Sequence, residues 1–310
     1  MTQAGEVSVS RIYLRCVKCG RGGSPVDERL GIDGRYSQQA QRLICLAGAS
    51  WSYDVSSARL KDFCGLCVSD TTLREVAQGH GSKANEWLRT EPVAVREFRE
   101  AEGDVEFTAD GTWVNTREGW REMKVAIFSK RRRGASATPE EWATRKLPKP
   151  QARIAFAAIE DSDSFGRRWK AWCKRLGRPD TSAITMLADG AKWLWKELRK
   201  HLTHADGVLD IFHVLEHITA AGQALDTTPE EATAWITRAR EALLKEGWSG
   251  IDALTRPETV TPTDTAIESP ATRSQAEQDA LDKLRNDLSP HADHLHYAER
   301  LQEGRSIGSG

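Results

Sequence analysis

The stretch that decides the fold starts at residue 104 and reads DVEFTADGTWVNTREGWREMKVAIF (104–128). Apolar residues alternate on both sides of Glu118-Gly119, so this stretch predicts a strand, a turn and a second strand. Further on, the apolar spacing predicts a strand, a helix, a strand and a helix, at residues 153–159, 165–176, 183–187 and 191–202. The resulting order is β-β-β-α-β-α, with Asp110 on the first strand and Asp189 just after the fourth.

This order of elements has a consequence for chemistry. Three antiparallel strands followed by αβα units describe the ribonuclease-H-like fold, in which an acid on the first strand lies beside another that ends the fourth. Asp110 and Asp189 occupy those two places. Joined by a third acid from a later helix, they can hold two Mg²⁺ (or Mn²⁺) ions for phosphodiester transfer. The alternatives are a turn role for Asp110 before Gly111 and a helix cap for Asp189 ahead of Ala191.

The composition sets the frame for this core. A chain of 310 residues allows one large domain or two to three ordinary ones, since single cores rarely grow past roughly 250 residues. Hydrophobic residues make up 39%, and no apolar run approaches the ~18 residues of a membrane span, which excludes an integral membrane protein. Residues 1–10 lack the features of a signal peptide, so we expect a cytoplasmic protein. We expect the eleven Trp residues mainly in the core.

Charge is distributed unevenly along the chain. Residues 1–200 carry 35 Lys and Arg against 26 Asp and Glu, and residues 201–310 carry 9 against 19. A basic portion followed by an acidic one indicates a polyanionic partner. The run Lys130-Arg131-Arg132-Arg133 ends the second predicted strand, ahead of a loop over 134–150, and forms a candidate basic edge for double-stranded DNA.

Two Cys-x-x-Cys pairs point to zinc, because a reducing cytosol disfavours disulfides. An alternating stretch over 7–14 predicts a strand that leads into Cys16 and Cys19, a tight knuckle of the kind that a zinc-ribbon half-site needs. Cys64 and Cys67 could complete a tetrahedral Zn²⁺ site, although the 44 residues between the pairs exceed the usual ~12–20. Free buried thiols are the alternative.

Residues 37–78 have the spacing of apolar residues that is typical of helices. Three are predicted, each behind a serine cap: 37–50 behind Ser37, 58–63 behind Ser56 or Ser57, and 70–78 behind Ser69. The last two have the layout of a helix-turn-helix, whose second helix presents Thr71 and Arg74, with Asp70 and Gln78, to phosphates and base edges. Two packed helices of an unrelated bundle give the same pattern.

The C-terminal part is predicted to be mostly helical. Helices are expected over 229–246, 273–288 and 291–302, and a Pro/Thr-rich stretch over 256–272 is interpreted as a linker. His291, His294 and His296 suggest a metal site, but exposed helix histidines are the simpler interpretation.

Several short motifs follow one another along the chain, each occurring once. They are Cys16-Val17-Lys18-Cys19-Gly20 with Pro25, Asp27, Leu30 and Gly31; Asp110-Gly111-Thr112-Trp113 followed by Glu118 to Lys124; Ala188-Asp189-Gly190-Ala191-Lys192-Trp193; Leu209 to His217; and Gly304 to Gly310. In this order the motifs resemble those of ISKra-type insertion-sequence transposases, a family of the DDE group. The resemblance runs nearly from end to end.

The resemblance implies a metal-dependent enzyme that cuts the ends of a mobile element and joins them to target DNA. Asp110 and Asp189 would be its first and second catalytic carboxylates. Asp210 and His213 resemble an Asp-x-x-His signature with a supporting role in related DDE enzymes, and an ordinary helix pair is the alternative. The family also has a helical insertion before the third acid, and DDE enzymes act as dimers or larger assemblies.

Two departures from the family pattern affect the expected activity. The third catalytic residue of the family is a Glu shortly after the Gly-Ser-Gly at 308–310, and a further Cys pair often precedes the segment equivalent to residues 7–13. We therefore expect a copy clipped at both ends and inactive in strand cleavage, unless another acid such as Glu216 completes the site. A non-catalytic DNA-binding remnant that occupies transposon ends, or an unfolded product, are the alternatives.

The expected fold class is α/β. A ribonuclease-H-like catalytic core with a helical insertion follows a zinc-knuckle-like segment and a helix-turn-helix-like domain. The expected domains are a knuckle at 1–34, a helical DNA-binding domain at 35–100, the catalytic core at 101–219, the insertion at 220–303 and the start of the final catalytic segment at 304–310.

Overall fold

A computed structural model describes residues 7–33, 35–178, 180–181, 183–225, 227–256 and 274–308. The contacts between residues divide the chain into two units, Met1–Ala94 and Val95–Gly310. Among the described residues, no helix combines the length and the apolar character that crossing a membrane requires.

The first unit begins with short paired elements. They are strand β1 (Leu14–Arg15), which pairs antiparallel with β2 (Gly22–Gly23), helix α1 (Pro25–Leu30), and strand β3 (Ile32–Asp33), which pairs antiparallel with β4 (Tyr36–Ser37). The predicted strand over 7–14 is wrong for residues 7–13, which belong to no strand. Their apolar side chains are exposed, Ile12 by 74%, so burial does not favour an extended conformation there.

Three helices form the rest of the first unit: α2 (Gln38–Ser50), α3 (Tyr53–Cys64) and α4 (Asp70–Thr90). Ser37 and Ser69 cap α2 and α4, as predicted. The predicted start of α3 is wrong, because Ser52 precedes the helix and Ser56 is buried, where its hydroxyl donates to the Ala47 carbonyl (2.9 Å). The helices close around a core of Ala40, Ile44, Ala47, Leu60, Leu66, Val68 and Leu73.

The second unit contains a five-stranded mixed sheet. Its first elements are α5 (Arg96–Glu100), β5 (Asp104–Thr116), β6 (Gly119–Arg131), β7 (Ala152–Ala158), α6 (Ser162–Arg175), β8 (Ile184–Ala188), α7 (Lys192–His201) and β9 (Asp206–Leu209). The strand order is β7-β6-β5-β8-β9, with antiparallel pairing from β7 to β5 and parallel pairing from β5 to β9. The α/β class and the predicted β-β-β-α-β-α order are confirmed.

The sequence-based prediction missed strand β9. The strand has four residues, and Gly207, Val208 and Leu209 are all buried, so its side chains show no alternation of polar and apolar character. Parallel strands covered on both faces lack that alternation. A run this short is therefore indistinguishable by pattern from a loop between two helices.

Helices α6 and α7 cover one face of the sheet. The Phe107 ring of β5 lies 5.0 Å from the Trp169 ring of α6, measured between centroids. Because side chains alternate along β5, Thr108 and Asp110 lie on the opposite face. The expected burial of tryptophan holds for Trp169, Trp172, Trp195 and Trp235 and fails for Trp51, Trp87, Trp113 and Trp120, which are exposed. The sheet thus separates an aromatic core from the face that carries Asp110.

The remaining described elements are helical. They are α8 (Ile211–Gln223), α9 (Pro229–Glu246), α10 (Trp248–Thr255), α11 (Gln275–Leu288), a 3-10 helix (Ser289–His294) and α12 (Tyr297–Gln302). The single helix predicted over 291–302 is wrong, since His291 has non-helical angles (φ −113°, ψ 15°). The predicted linker lies outside the described residues apart from Arg256. Near the C-terminus, the Ile211 amide donates to the Ile307 carbonyl (3.0 Å).

Candidate active site

Three aspartates lie at one level across the parallel strands. Thr108 of β5 pairs with Leu187 of β8, so Asp110 and Asp189 follow at the next matching positions on the same face. The register of β8 with β9 places Asp210 next to Asp189 in the same way. Neighbouring strands lie about 4.8 Å apart. The three carboxylates therefore lie on one face of the sheet, opposite α6, although their oxygens do not all come within 4.8 Å of one another.

Two buried aromatic side chains fix the backbone beside these aspartates. The Trp195 indole N–H donates to the Asp189 carbonyl (2.7 Å), and the Tyr297 hydroxyl donates to the carbonyl of Leu209, just before Asp210 (2.7 Å). Burial, together with the charge of Asp210, raises the pKa of Tyr297 well above its usual range, so the hydroxyl remains a donor. Core packing thus sets the positions of both aspartates.

The backbone engages one oxygen of each of the three aspartates, and the Gly111 amide donates to Oδ1 of Asp110 (2.6 Å). The Ala191 amide donates to Oδ1 of Asp189 (2.9 Å), and the Phe212 amide donates to Oδ1 of Asp210 (2.8 Å). The capping role considered for Asp189 is therefore present, but it uses one oxygen only. The turn role considered for Asp110 is wrong, because this residue lies inside β5 and pairs with Val125 of β6.

These carboxylates line one cleft, with a volume of about 450 Å³. Its walls are formed by Thr108, Ala109, Asp110, Val125, Ile127, Leu187, Ala188, Asp189, Asp210, Phe212, His213 and Glu216. The structure thus brings together Asp110, Asp189, Asp210 and His213, the four residues predicted as catalytic or supporting. Glu216 on α8 adds a further carboxylate to the same cleft.

The cleft is acidic and largely uncompensated. Within the described part of the chain, Asp110, Asp189 and Glu216 form no ion pair with a basic side chain. Carboxylates that line one cleft repel each other, and a bound cation relieves that repulsion. An oxygen-only donor set beside solvent suits Mg²⁺ or Mn²⁺, which retain several water ligands. The donor set therefore fits the expected metal.

A line of hydrogen-bonding groups leads from α11 into the cleft. Nδ1 of His217 lies 3.0 Å from Oδ2 of Asp287, and Nε2 of His217 lies 3.2 Å from Nε2 of His213. When neutral His217 donates through Nδ1, its Nε2 accepts from His213. Gly190 leaves room for this arrangement, since a Cβ there would lie 2.7 Å from Nε2 of His213. The line orients the His213 ring against the cleft wall.

A second group of ligand-type side chains lies outside the cleft. Asp163 of α6 and Glu197 and His201 of α7 bring one potential ligand atom each within 4.8 Å of one another, so this group can bind a metal ion. No other three His, Cys, Asp or Glu side chains gather this closely among the residues that the structure describes. The sequence analysis missed this group, although the i, i+4 spacing of Glu197 and His201 on one helix face was an available signal.

The four cysteines predicted as zinc ligands form no such group among the described residues. Cys16 and Cys19 lie in the turn between β1 and β2, and both are exposed. Hydrogen bonds from the Cys19 and Lys18 backbone, and from the Cys19 side chain, lower the pKa of the Cys16 thiol. Cys64 is half-buried and Cys67 is exposed. The alternative of fully buried thiols is therefore wrong for all four.

The basic run at the end of β6 is only partly available to a partner. Lys130 is 4% exposed, and its ammonium donates to two backbone carbonyls (3.2 and 2.5 Å). Arg131 is largely buried and pairs with Glu106 (2.9 Å). The predicted DNA contact is wrong for these two residues, because their side chains are used inside the fold. Arg132 and Arg133 are exposed, although each pairs with an acid.

The predicted DNA-contact residues of the helix pair α3–α4 all lie on α4, and most of them are exposed. Thr71, Asp70 and Gln78 are exposed, and Arg74 is half-buried. Their contact with DNA stays a prediction.

The three C-terminal histidines are not exposed helix residues, so that expectation is wrong. The rings of His291 and His294 lie 4.8 and 4.3 Å from the Trp195 ring. Nε2 of His296 lies 3.2 Å from Oδ1 of Asp206. They pack behind the cleft and do not form a three-ligand metal group among the described residues.

No protein-family model matches this sequence, and no curated protein matches it significantly. The function is therefore inferred from the geometry of the site and from the order of the motifs.

Proposed function

We propose that the protein is a metal-dependent enzyme of phosphodiester chemistry on DNA, a transposase of the DDE group. Asp110 and Asp189 are its first and second catalytic carboxylates. The observation that carries this proposal is the convergence of Asp110, Asp189 and Asp210, from three separate strands, in one acidic cleft. Clustered carboxylates destabilise a fold unless they serve a ligand, so their retention in a cleft favours a functional role.

The sheet topology supports a ribonuclease-H-like assignment. A hairpin-linked antiparallel trio, β5 to β7, continues through helices into β8 and β9, both parallel to β5. Connections between parallel strands place the strand ends, and the loops that follow them, at one edge of the sheet. Asp189 and Asp210 lie at that edge, which is where such a fold needs its acids.

The side chains of the cleft have different roles in this proposal. Asp110 and Asp189 hold a divalent metal through the oxygens that do not accept from the backbone. When bound, the metal activates the attacking water or 3′-hydroxyl and stabilises the leaving oxygen. His213 uses its Nε2–H on His217, so donation to a phosphate oxygen at the wall would come from Nδ1 of the protonated ring. Phe212 is 51% exposed at the same wall and offers an apolar surface to a sugar or base.

The third acid has two candidate positions. Glu216 lines the cleft and can be tested directly. The family resemblance instead places this acid after Gly308, and a Cβ at Gly308 would lie 3.0 Å from the ring of Phe212, a cleft residue. Gly308 therefore lies beside the cleft, and the substitution of Glu216 tests the candidate that this sequence contains.

Basic residues on α6 and α7, the helices on the face opposite the cleft, support attraction of a polyanion to the second unit but not a contact inside the cleft. Lys170, Lys174, Lys192 and Arg199 are exposed and form no ion pair within the described part of the chain. Side chains of this kind bind phosphates through long-range attraction, which weakens as salt displaces it. We expect double-stranded DNA to bind with a marked salt dependence, and a homo-oligomer to form on it.

The test is nicking of supercoiled plasmid DNA by the full chain in Mg²⁺ or Mn²⁺. If Glu216 completes the site and the chain nicks DNA, we expect Asp110→Asn and Asp189→Asn each to lower the rate on the order of 1,000-fold while DNA binding persists. Asp279→Asn, which changes an exposed aspartate of α11, is the matched control and should nick normally. Metal-dependent nicking that survives both cleft substitutions contradicts the proposal. Salt-dependent binding without nicking by the unaltered chain favours the non-catalytic DNA-binding alternative.

A further inference from the structure

We propose that Asp163, Glu197 and His201 form a second metal site, for a Zn²⁺-type divalent ion, between α6 and α7. These helices cover the face of the sheet opposite the acidic cleft. The site is separate from the proposed catalytic metal and does not depend on it.

The Glu197 side chain is the feature that indicates a ligand. It is 0% exposed, and neither of its oxygens has a hydrogen-bond partner in the described part of the chain. Nε2 of His201 is also buried without a hydrogen-bond partner, although it lies only 3.2 Å from Oε2 of Glu197. The Lys side chain that pairs with Glu197 is Lys196, whose Nζ lies 3.8 Å from Oε1 and whose side chain is 66% exposed. A carboxylate buried without hydrogen bonds destabilises a fold unless something else satisfies it.

The distances between the donor atoms fit one small ion. Zinc binds imidazole nitrogen and carboxylate oxygen at about 2.0–2.2 Å, so two ligands of a tetrahedral ion lie about 3.3–3.6 Å apart. The His201 nitrogen lies 3.2 Å from the Glu197 oxygen and 3.8 Å from Oδ1 of Asp163. Both separations match ligands that share an ion after small adjustments.

Gly166 on α6 creates the space for this approach. A Cβ at this position would lie 2.8 Å from Oε2 of Glu197 and 2.6 Å from Cδ2 of His201. Only glycine lets α6 come this close to the two α7 ligands. Asp163 lies about one turn before Gly166 on the same helix, and it reaches the group from the first turn of α6.

The ion pairs of Asp163 do not block the site. Arg167 and Lys200 contact its two carboxylate oxygens, but their own side chains are 61% and 53% exposed. Exposed pairs of this kind contribute little stability, so a metal can share or replace them. The competing arrangement is a protonated His201 held between Asp163 and Glu197 with no metal.

The chemistry of the donors selects the ion. One imidazole with two carboxylates suits Zn²⁺ or Co²⁺, whereas Mg²⁺ prefers oxygen and water alone. The ion would bind α6 to α7 and stabilise that layer of the second unit. It would leave at least one coordination position for water.

The experiment measures binding of Zn²⁺ and Co²⁺ to the full chain carrying Cys16→Ser and Cys19→Ser, which removes the exposed thiolate pair. We expect one Zn²⁺ per chain at this site, a larger increase in Tm with Zn²⁺ than with Mg²⁺, and visible Co²⁺ bands without sulfur-to-metal charge transfer. Glu197→Gln and His201→Gln should weaken binding about tenfold or more. Asp163→Asn, at a partly exposed position, provides a variant with little risk to folding and should weaken binding as well.

The controls separate this site from others. Glu241→Gln, at an exposed position on α9, and Asp189→Asn, in the cleft, should leave Zn²⁺ binding unchanged. Equal Zn²⁺ binding by the parent protein and by the folded Glu197→Gln and Asp163→Asn variants overturns the proposal. Absence of Zn²⁺ binding by the parent also overturns it and leaves the protonated His201 arrangement.

Discussion

The acidic cleft and the Asp163–Glu197–His201 group lie on opposite faces of one sheet. They differ in the solvent exposure of their carboxylates and in whether basic side chains pair with them. In the cleft, Asp110 and Glu216 are exposed, and the donors are all oxygens apart from His213. In the other group, Glu197 is fully buried beside an imidazole, and basic side chains from the surface pair with Asp163.

This difference in exposure and donor type determines what each arrangement can bind. An open, oxygen-rich cleft can exchange ions and admit a phosphate, which suits a hydrated ion such as Mg²⁺. A buried site with mixed nitrogen and oxygen donors favours a tightly held ion that connects two helices. Solvent access and donor type, more than the number of acids, therefore distinguish a candidate catalytic site from a structural one.

The largest of the following effects is expected on the nicking rate when Glu216, the candidate third acid of the cleft, is replaced. If Glu216 completes the catalytic set, Glu216→Gln should lower metal-dependent nicking about 100-fold, which corresponds to about 2.7 kcal/mol of barrier. Steady-state nicking rates measure this effect, with Glu241→Gln as the exposed glutamate control. An unchanged rate in Glu216→Gln shows that Glu216 does not complete the catalytic set.

The next effect concerns the close approach of α6 and α7. Gly166→Ala should destabilise the protein by about 1–3 kcal/mol, because its Cβ would overlap the side chains of Glu197 and His201. Gly79→Ala, in α4 with no atom near the added Cβ, should instead stabilise by about 0.5–1 kcal/mol. Urea unfolding measures both changes. Equal effects of the two substitutions would break the contrast.

A smaller effect is expected from the glycine that faces the cleft. Gly190→Ala should displace His213, since the new Cβ would lie 2.7 Å from its Nε2 atom. We expect about a tenfold loss of nicking, because a small misplacement of an orienting group lowers the rate without removing the metal ligands. Mn²⁺ affinity measured in parallel should not change. A loss of Mn²⁺ binding in this variant shows that His213 supports the metal site itself.

The smallest effect is a pair of opposing pH dependences near the cleft. Burial, with the charges of His294 and His213, lowers the pKa of His291 to about 4, whereas the hydrogen bond with Asp206 raises the pKa of His296. His291 therefore reduces stability as the pH falls from 6.5 towards 4, by at most about 1.4 kcal/mol per pH unit. His296 adds stability that is present below pH 6.5 and lost as the pH rises through its raised pKa.

Urea unfolding between pH 4.5 and 8, in steps of about one unit, checks these two signs. His291→Gln should remove part of the acid destabilisation, and His296→Gln should remove part of the stabilisation seen at low pH. Parallel curves for the two variants contradict the assignment of opposite environments.

The sequence predicted the strands that carry Asp110 and Asp189, because long alternating or apolar runs with turn residues between them leave a clear pattern. It could not predict β9, which is short and buried, or the burial of Lys130, which depends on what covers the sheet at that level. The convergence of Asp210 and Glu216 on the cleft follows from that missing strand and from the start of α8.

The second metal-ligand group was beyond sequence reasoning for a different reason. Glu197 and His201 have a recognisable helical spacing, but Asp163 comes from another helix, and Gly166 gives no sign of the contact it permits. Ordinary helix faces carry similar pairs. Only the packing of α6 against α7 distinguishes this one.

The most direct test of the central claim is a Mn²⁺ titration of the full chain, followed by electron paramagnetic resonance. We expect saturable Mn²⁺ binding that Asp110→Asn and Asp189→Asn each weaken about tenfold or more, while Asp279→Asn leaves it unchanged. Mn²⁺ binding of equal strength in all four proteins would contradict the assignment of the cleft as a divalent-metal site.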